Sequence, residues 1–204
     1  MPRAGYFLKG VKRIREIGKP QFKGGGFQQG YAGLTHTALM ISEYIPKCIT
    51  YVEPFAGLGR VAKYVKAEHY VLNDKSDYAF NYLKKHFGKA FVTNNDFINC
   101  IKGWDSEATF YLMDPPWESA TYNLNPKTYC NMTPKEYYDK IFELLPNLKG
   151  NWFVCGNKGN MRLKNHRYYN KLFISRKTIN KGNISTLVMS NKPFTRYNQS
   201  TLDI

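Results

Sequence analysis

A five-residue apolar run, Thr109-Phe110-Tyr111-Leu112-Met113, leads straight into Asp114-Pro115-Pro116-Trp117. The run has the length and composition of a buried strand. Two consecutive prolines lack backbone donors, so they cannot stay in a sheet interior and the chain must turn out after Met113. An acid, a rigid extended dipeptide and an aromatic ring are thereby gathered at the carboxyl end of a strand. In open α/β sheets that is where ligands bind. A flat ring bearing an amine can stack on Trp117 while its NH2 donates to Asp114 and to the Pro115 carbonyl. The same residues also suit a plain surface turn, so the box needs a second, independent motif.

That motif is Tyr51-Val52-Glu53-Pro54-Phe55-Ala56-Gly57-Leu58-Gly59-Arg60. Ile49 to Val52 read as a strand, and a helix is expected near 59–67. Between them Gly57 and Gly59 permit a tight turn and a close backbone approach to a ligand. The third glycine of the dinucleotide pattern is missing, with Ala62 in its place, and no GxxxxGK[ST] phosphate loop occurs.

The remaining elements alternate. A helix opening at Thr35 or Thr37 should run to Ile45, where Pro46 follows. Tyr70 to Leu72 is a short strand ending at Asn73-Asp74. Ser76 is placed to cap a helix to about His86, stopped by Gly88. Ala90 to Thr93 is a third strand, ending near Asn95-Asp96-Phe97, and 109–113 is the fourth. Thr133-Pro134-Lys135-Glu136 combines an N-cap, a first-position proline and a capping-box glutamate, which predicts a helix to about Leu145. Asn151 to Cys155 is a fifth strand, followed by a helix or turn over 158–168. Phe173 to Thr178 and Ser185 to Ser190 form a hairpin across Asn180-Lys181-Gly182-Asn183. Strand–helix alternation predicts one α/β domain with a mostly parallel, doubly wound sheet. A chain of 204 residues is long enough to bury a full core in such a domain.

Together the EPFAGLG loop, the DPPW box and the order of the segments resemble S-adenosylmethionine-dependent amino-methyltransferases, most closely adenine-N6 DNA methyltransferases of the Dam or D12 type. The resemblance spans about Tyr31 to Phe194. It implies a Rossmann-like methyltransferase fold with a terminal antiparallel strand and S-adenosylmethionine as cofactor. Residues 31–197 would be the methyltransferase domain, 1–30 a basic N-terminal arm and 198–204 a short tail. Family members usually carry DPPY; Trp117 is a stacking-competent variant found also in RNA N6-adenosine enzymes.

The resemblance also assigns roles. Glu53, Pro54, Phe55, Ala56, Gly57 and Gly59 would wrap the amino-acid end of the cofactor. Asp74 would accept both ribose hydroxyls; the residues alone also allow a helix-capping acid before Ser76. Asp96 would accept from the cofactor adenine and Phe97 would pack on its ring, where the residues alone also allow an Asx turn. Tyr31 and Gly33 match the amino-terminal cofactor motif, although Leu34 and Thr35 stand where Gly and Lys are usual. Asp114, Pro115, Pro116 and Trp117 would be the catalytic box. Many Dam-like enzymes carry a recognition insertion before that box. Here only about Asp96 to Thr109 fills the interval, so any reading head lies in the N-terminal arm, the 118–132 loop or the basic C-terminal third.

Charge points to the partner. Thirty Lys and Arg stand against fifteen Asp and Glu, a net +15. No acid occurs from Leu144 to Leu202, a stretch that carries eleven Lys and Arg, among them Lys177 and Lys181. Tyr168, Tyr169, Phe173 and Tyr197 interleave with them. Basic residues alternating with stacking rings suit a nucleic acid, with Lys177 and Lys181 as phosphate contacts, although a soluble basic surface is the plainer alternative; the family resemblance implies DNA before RNA. Cytosine-N4 transfer, a non-catalytic binding subunit and a small-molecule methyltransferase are the other readings. Cys48, Cys100, Cys130 and Cys155 form no CxxC pair and the histidines show no ligand spacing. A metal site is not expected, and reduced thiols suggest the cytoplasm. Neither a membrane span nor a signal-peptide core is visible.

Overall fold

The computed structural model describes residues 35–117, 132–157, 159–166, 169–178 and 182–197. The expected arm over 1–30, the expected contacts at Tyr31, Gly33 and Lys181, and most of the 118–132 loop lie outside them.

Seven strands form one sheet in the order β3-β2-β1-β4-β5-β7-β6. They are β1 (Cys48–Glu53), β2 (Ala67–Asn73), β3 (Phe91–Thr93), β4 (Thr109–Met113), β5 (Asn151–Asn157), β6 (Asn170–Thr178) and β7 (Gly182–Ser190). The first five run parallel. β7 is antiparallel to both β5 and β6. The antiparallel strand is thus last in sequence but lies inside the sheet, with β6 at the edge.

Both faces are covered, and the strands show it residue by residue. Tyr51, Phe110, Leu112, Phe153, Cys155 and Val188 enter one core; their chain neighbours Val52, Tyr111, Met113, Trp152, Val154, Leu187 and Met189 enter the other. A period of two that buries both sets is the mark of a doubly wound sheet. The first core is closed by α1 (Thr35–Ser42) and α2 (Asp77–His86), through Ala38, Ile41 and Leu83. The second is closed by α3 (Phe97–Gly103), α4 (Pro134–Leu144) and α5 (Met161–Asn165), through Cys100, Ile101, Tyr138, Ile141 and Leu163.

The α4 start carries the predicted capping box: the Thr133 hydroxyl accepts from Glu136 N–H while the Glu136 side chain accepts from Thr133 N–H. Three expectations need correction. The helix expected over 59–67 is a single 3-10 turn, Ala62–Tyr64, and Val65 is already extended. Tyr70 explains the early exit: its hydroxyl donates to the Val65 carbonyl and accepts from Ala67 N–H, which takes up groups a longer helix would need. The first helix stops at Ser42 rather than Ile45, with the Ser42 hydroxyl donating to the Leu39 carbonyl. Ser76 occupies the N-cap of α2 but makes no side-chain cap; its backbone N–H goes to Asp74 instead.

Candidate active site

Five parallel strands bring their carboxyl ends to one edge of the sheet, and the expected site residues follow from that. Glu53 ends β1, Asp74 follows β2, Asp96 follows β3 and Asp114 follows β4.

The loop after β1 turns on two glycines in the left-handed region, Gly57 at φ 53° and Gly59 at φ 63°. Other residues are strained there. Gly59 also lies against α2: an added Cβ would fall 2.5 Å from Phe87 Cζ. The loop is latched to the end of β2. Gly57 N–H donates to Asp74 Oδ2 at 2.8 Å, and Ala56 N–H to the Asn73 carbonyl at 2.8 Å. Asp74 Oδ1 accepts from Ser76 N–H at 2.9 Å. Burial pushes the Asp74 carboxyl up to about 6, against the pull of those two amides. Asp74 therefore organises the glycine loop directly. Each of its oxygens retains a further lone pair for a ligand hydroxyl.

Asn73 was not singled out from the sequence, yet it joins three strand ends. Its Nδ2 donates to the Pro54 and Asn95 carbonyls; its Oδ1 accepts from the Thr93 hydroxyl and Asn95 N–H. All four capacities of the amide are used, in a side chain that is 1% exposed. An Asn closing a strand beside a site acid was the available signal.

Asp96 caps α3, accepting from Ile98 N–H at 2.9 Å, in the Asx geometry the residues alone allowed. Its other oxygen is not used by that cap. Phe97 is 4% exposed and packs on Phe55 (4.9 Å between centroids) and Tyr137 (5.6 Å). Phe55 is half-buried, so of these two rings it is the one that offers surface.

The Asp114–Trp117 segment leaves β4 beside β5, one residue beyond the Met113–Val154 pair. Pro115 is buried; Asp114, Pro116 and Trp117 are partly so. Trp117 donates its indole N–H to Asp114 Oδ1 at 2.8 Å. Burial pushes the Asp114 carboxyl up to about 6, and the Trp117 N–H pulls it down. Glu53 is 3% exposed and its Oε2 makes no hydrogen bond among the described residues. Burial is the main reason its proton affinity is raised; nearby Tyr51 and Ala62 oppose the shift, while Asp114 and Asp74 add to it. That one oxygen of the buried acid, beside the glycine turn, can still accept from a donor.

Lys177 stands on β6, the edge strand, paired with Asn183 of β7. Among the described residues no group of three or more His, Cys, Asp or Glu side chains could hold a metal ion. Nor is any helix among them long and apolar enough to cross a membrane.

The comparison with curated proteins gives no significant match. Among solved structures, a conserved hypothetical protein of Streptococcus pyogenes superposes with a TM-score of 0.51 at 15% identity, covering 80% of this chain and 98% of that one. An rRNA methylase of Streptococcus thermophilus gives 0.49 at 10% identity, covering 78% and 95%. Likeness at such identities speaks for the fold alone, and the first superposition shows that the open α/β arrangement is shared. The sequence is more specific: the family model for D12 class N6 adenine-specific DNA methyltransferases matches residues 35–176, more than half of the chain, and the chain belongs to that family.

Proposed function

We propose that this chain transfers a methyl group from S-adenosylmethionine to the N6 amine of adenine in a nucleic acid, with DNA the favoured substrate. One observation carries the reading. Asp114 directly follows the central strand β4 and precedes the buried Pro115, and β4 adjoins β1, whose glycine loop follows directly.

The residues present fit the cofactor. Glu53, with its unpartnered buried oxygen, suits a cationic group. Gly57 and Gly59 supply a turn open to close approach, and Asp74 keeps lone pairs for ribose hydroxyls. Asp96 and the Phe55–Phe97 pair suit the adenine. Bound there, S-adenosylmethionine supplies an electrophilic methyl group on a positively charged sulfur and leaves as the neutral thioether.

An exocyclic aromatic amine is a poor nucleophile, because its lone pair is delocalised into the ring. Asp114 and the Pro115 carbonyl overcome this by accepting its two N–H bonds. They orient the nitrogen and favour tetrahedral character, so its lone pair can form the new N–C bond. Positioning and electrostatics dominate. Once methylated, the nitrogen carries a positive charge and releases one proton, and Asp114 is the acceptor at hand. Trp117 holds the base by stacking on its face. A base within a duplex must first be flipped out.

RNA is the second reading, favoured by one observation: α3 and its flanking turns are all that lie between β3 and β4, so no recognition domain is inserted there. Incubation with labelled cofactor and separate pools of duplex DNA, single-stranded DNA and RNA, followed by digestion to nucleosides, tests both. N6-methyladenine in DNA supports the first reading. Label only in RNA moves the assignment, and label in neither pool removes it.

A further inference from the structure

The hydrogen bond from Trp117 to Asp114 joins the two ends of a four-residue box, Oδ1 accepting from the indole at 2.8 Å. We propose that Trp117 is a positioning residue for Asp114: it pins Oδ1 and leaves Oδ2 as the oxygen that meets the target amine. The inference rests on the reading of Asp114 as the amine acceptor, and it assigns a role that stacking alone does not require.

Three considerations support it. The first is geometric. A carboxyl on a single side-chain bond can turn either oxygen toward a substrate. A partner on Oδ1 removes that freedom before the substrate arrives, which is preorganisation. An indole carries its donor in the ring plane and its stacking faces perpendicular to that plane. One side chain can therefore hold the carboxyl and face a base.

The second is chemical. Indole N–H is a donor only. It is satisfied by a carboxylate, which also has lone pairs for an amine; it gives no support to a carboxyl that has turned a proton toward it. The ionisable groups near Asp114 come from the neighbouring strands, Glu53 of β1 and Cys155 of β5; both ionise only to anions, and burial holds both toward their neutral forms, so neither favours the Asp114 carboxylate. Burial drives the Asp114 carboxyl up to about 6, and the Trp117 N–H is the group that opposes this. Removing that donor favours the protonated acid, whose O–H would present a donor to an amine that needs an acceptor.

The third concerns residue type. Phe can stack but has no donor, and Tyr carries its hydroxyl at the tip of the ring rather than on its side. The role therefore belongs to tryptophan in particular.

The test compares the full-length wild type with Trp117→Phe. A second variant replaces Trp117 by benzothienylalanine, an isostere in which sulfur stands for the indole N–H and stacking is kept. Methyl transfer is followed across the acidic to mildly alkaline range, and the Asp114 carboxyl is titrated directly by carbon NMR on labelled protein. Loss of one hydrogen bond to a carboxylate should move the acidic limb of the kcat profile, and the carboxyl titration with it, upward by about one pH unit. KM for the nucleic acid should stay near the wild-type value in the isostere. Profiles and titrations that superimpose on the wild type would overturn the proposal. So would faster turnover in either variant, because the indole would then be occupying the place of the target amine. Asp114→Ala in the same assay separates this from the underlying reading. An inactive Asp114→Ala beside unshifted Trp117 variants sinks only the positioning role, whereas an active Asp114→Ala sinks the reading itself.

Discussion

Gly57 N–H donates to Asp74 Oδ2 at 2.8 Å, so the acid after β2 holds the glycine loop after β1. A residue expected to meet the cofactor also shapes the loop that would wrap it. Asp74→Ala removes the acceptor for Gly57 and Ser76 together with any ribose contact. Affinity for S-adenosylmethionine should fall by roughly 1.5–3 kcal/mol, the range for a hydrogen bond to a charged group. Calorimetric titration checks this. An unchanged dissociation constant would show that the ribose acceptor lies elsewhere and that the loop keeps its form unaided.

Asp114 gives a prediction in which stability and activity part. Its carboxyl is raised from 3.8 to about 6, chiefly by burial. The folded state then binds the proton more tightly than the unfolded state over that window. Stability falls as pH rises from about 4 through about 6 and stays lower above it. Asp114→Asn cannot ionise, yet it can still accept from Trp117. At mildly alkaline pH it should be more stable than the wild type by on the order of 2–3 kcal/mol, because each pH unit separating the folded and unfolded titrations is worth about 1.36 kcal/mol. Near pH 4 the advantage should vanish, and methyl transfer should be lost at every pH. Thermal unfolding at the two pH values decides the matter: an equal Tm change at both would mean that ionisation is not the cause.

The readable part of this fold was the part written in short-range chemistry. All seven strands were legible from apolar runs, and the Thr133 capping box fixed the start of α4. Both motifs fell at strand ends because prolines and glycines mark where a chain leaves a sheet. What stayed hidden depended on distant partners. The Tyr70 hydroxyl ends the turn after the glycine loop early, and no local propensity records that. The central role of Asn73 needs β1 and β3 beside it. The aromatic group that Phe97 forms with Phe55 and Tyr137 joins three separate segments, so no local pattern records it. The position of β7 between β5 and β6 is a matter of pairing, to which periodicity is blind.

Gly59 tests the loop from the packing side. Its φ is +63°, and an added Cβ would lie 2.5 Å from Phe87 Cζ and 3.1 Å from Leu83 Cδ2. Gly59→Ala therefore meets both backbone strain and overpacking, together about 2–5 kcal/mol of destabilisation. Pairing it with Phe87→Ala should recover only the packing share, since the backbone strain persists. Denaturant titration of the single and double variants measures this. A Gly59→Ala protein as stable as the wild type would mean that the turn relaxes freely.

The final prediction concerns the partner. From Leu144 to Leu202 the chain carries no acid, and much of that stretch forms β5, β6 and β7 at one side of the sheet. If this side follows a phosphate backbone, affinity should fall steeply with salt. Each neutralised phosphate adds a log–log slope of about −0.9 on duplex and −0.7 on single strands, through release of condensed counterions. Lys177→Ala with Lys181→Ala should weaken binding to all sequences about equally and flatten the slope by about two contacts' worth, because phosphate contacts position without specifying. Trp117→Ala should do the reverse: turnover drops while the slope holds, since stacking a base is not ionic. Binding titrations at several salt concentrations separate the two. Affinity that ignores salt, or no nucleic-acid binding even at low salt, would turn the assignment toward a small-molecule acceptor.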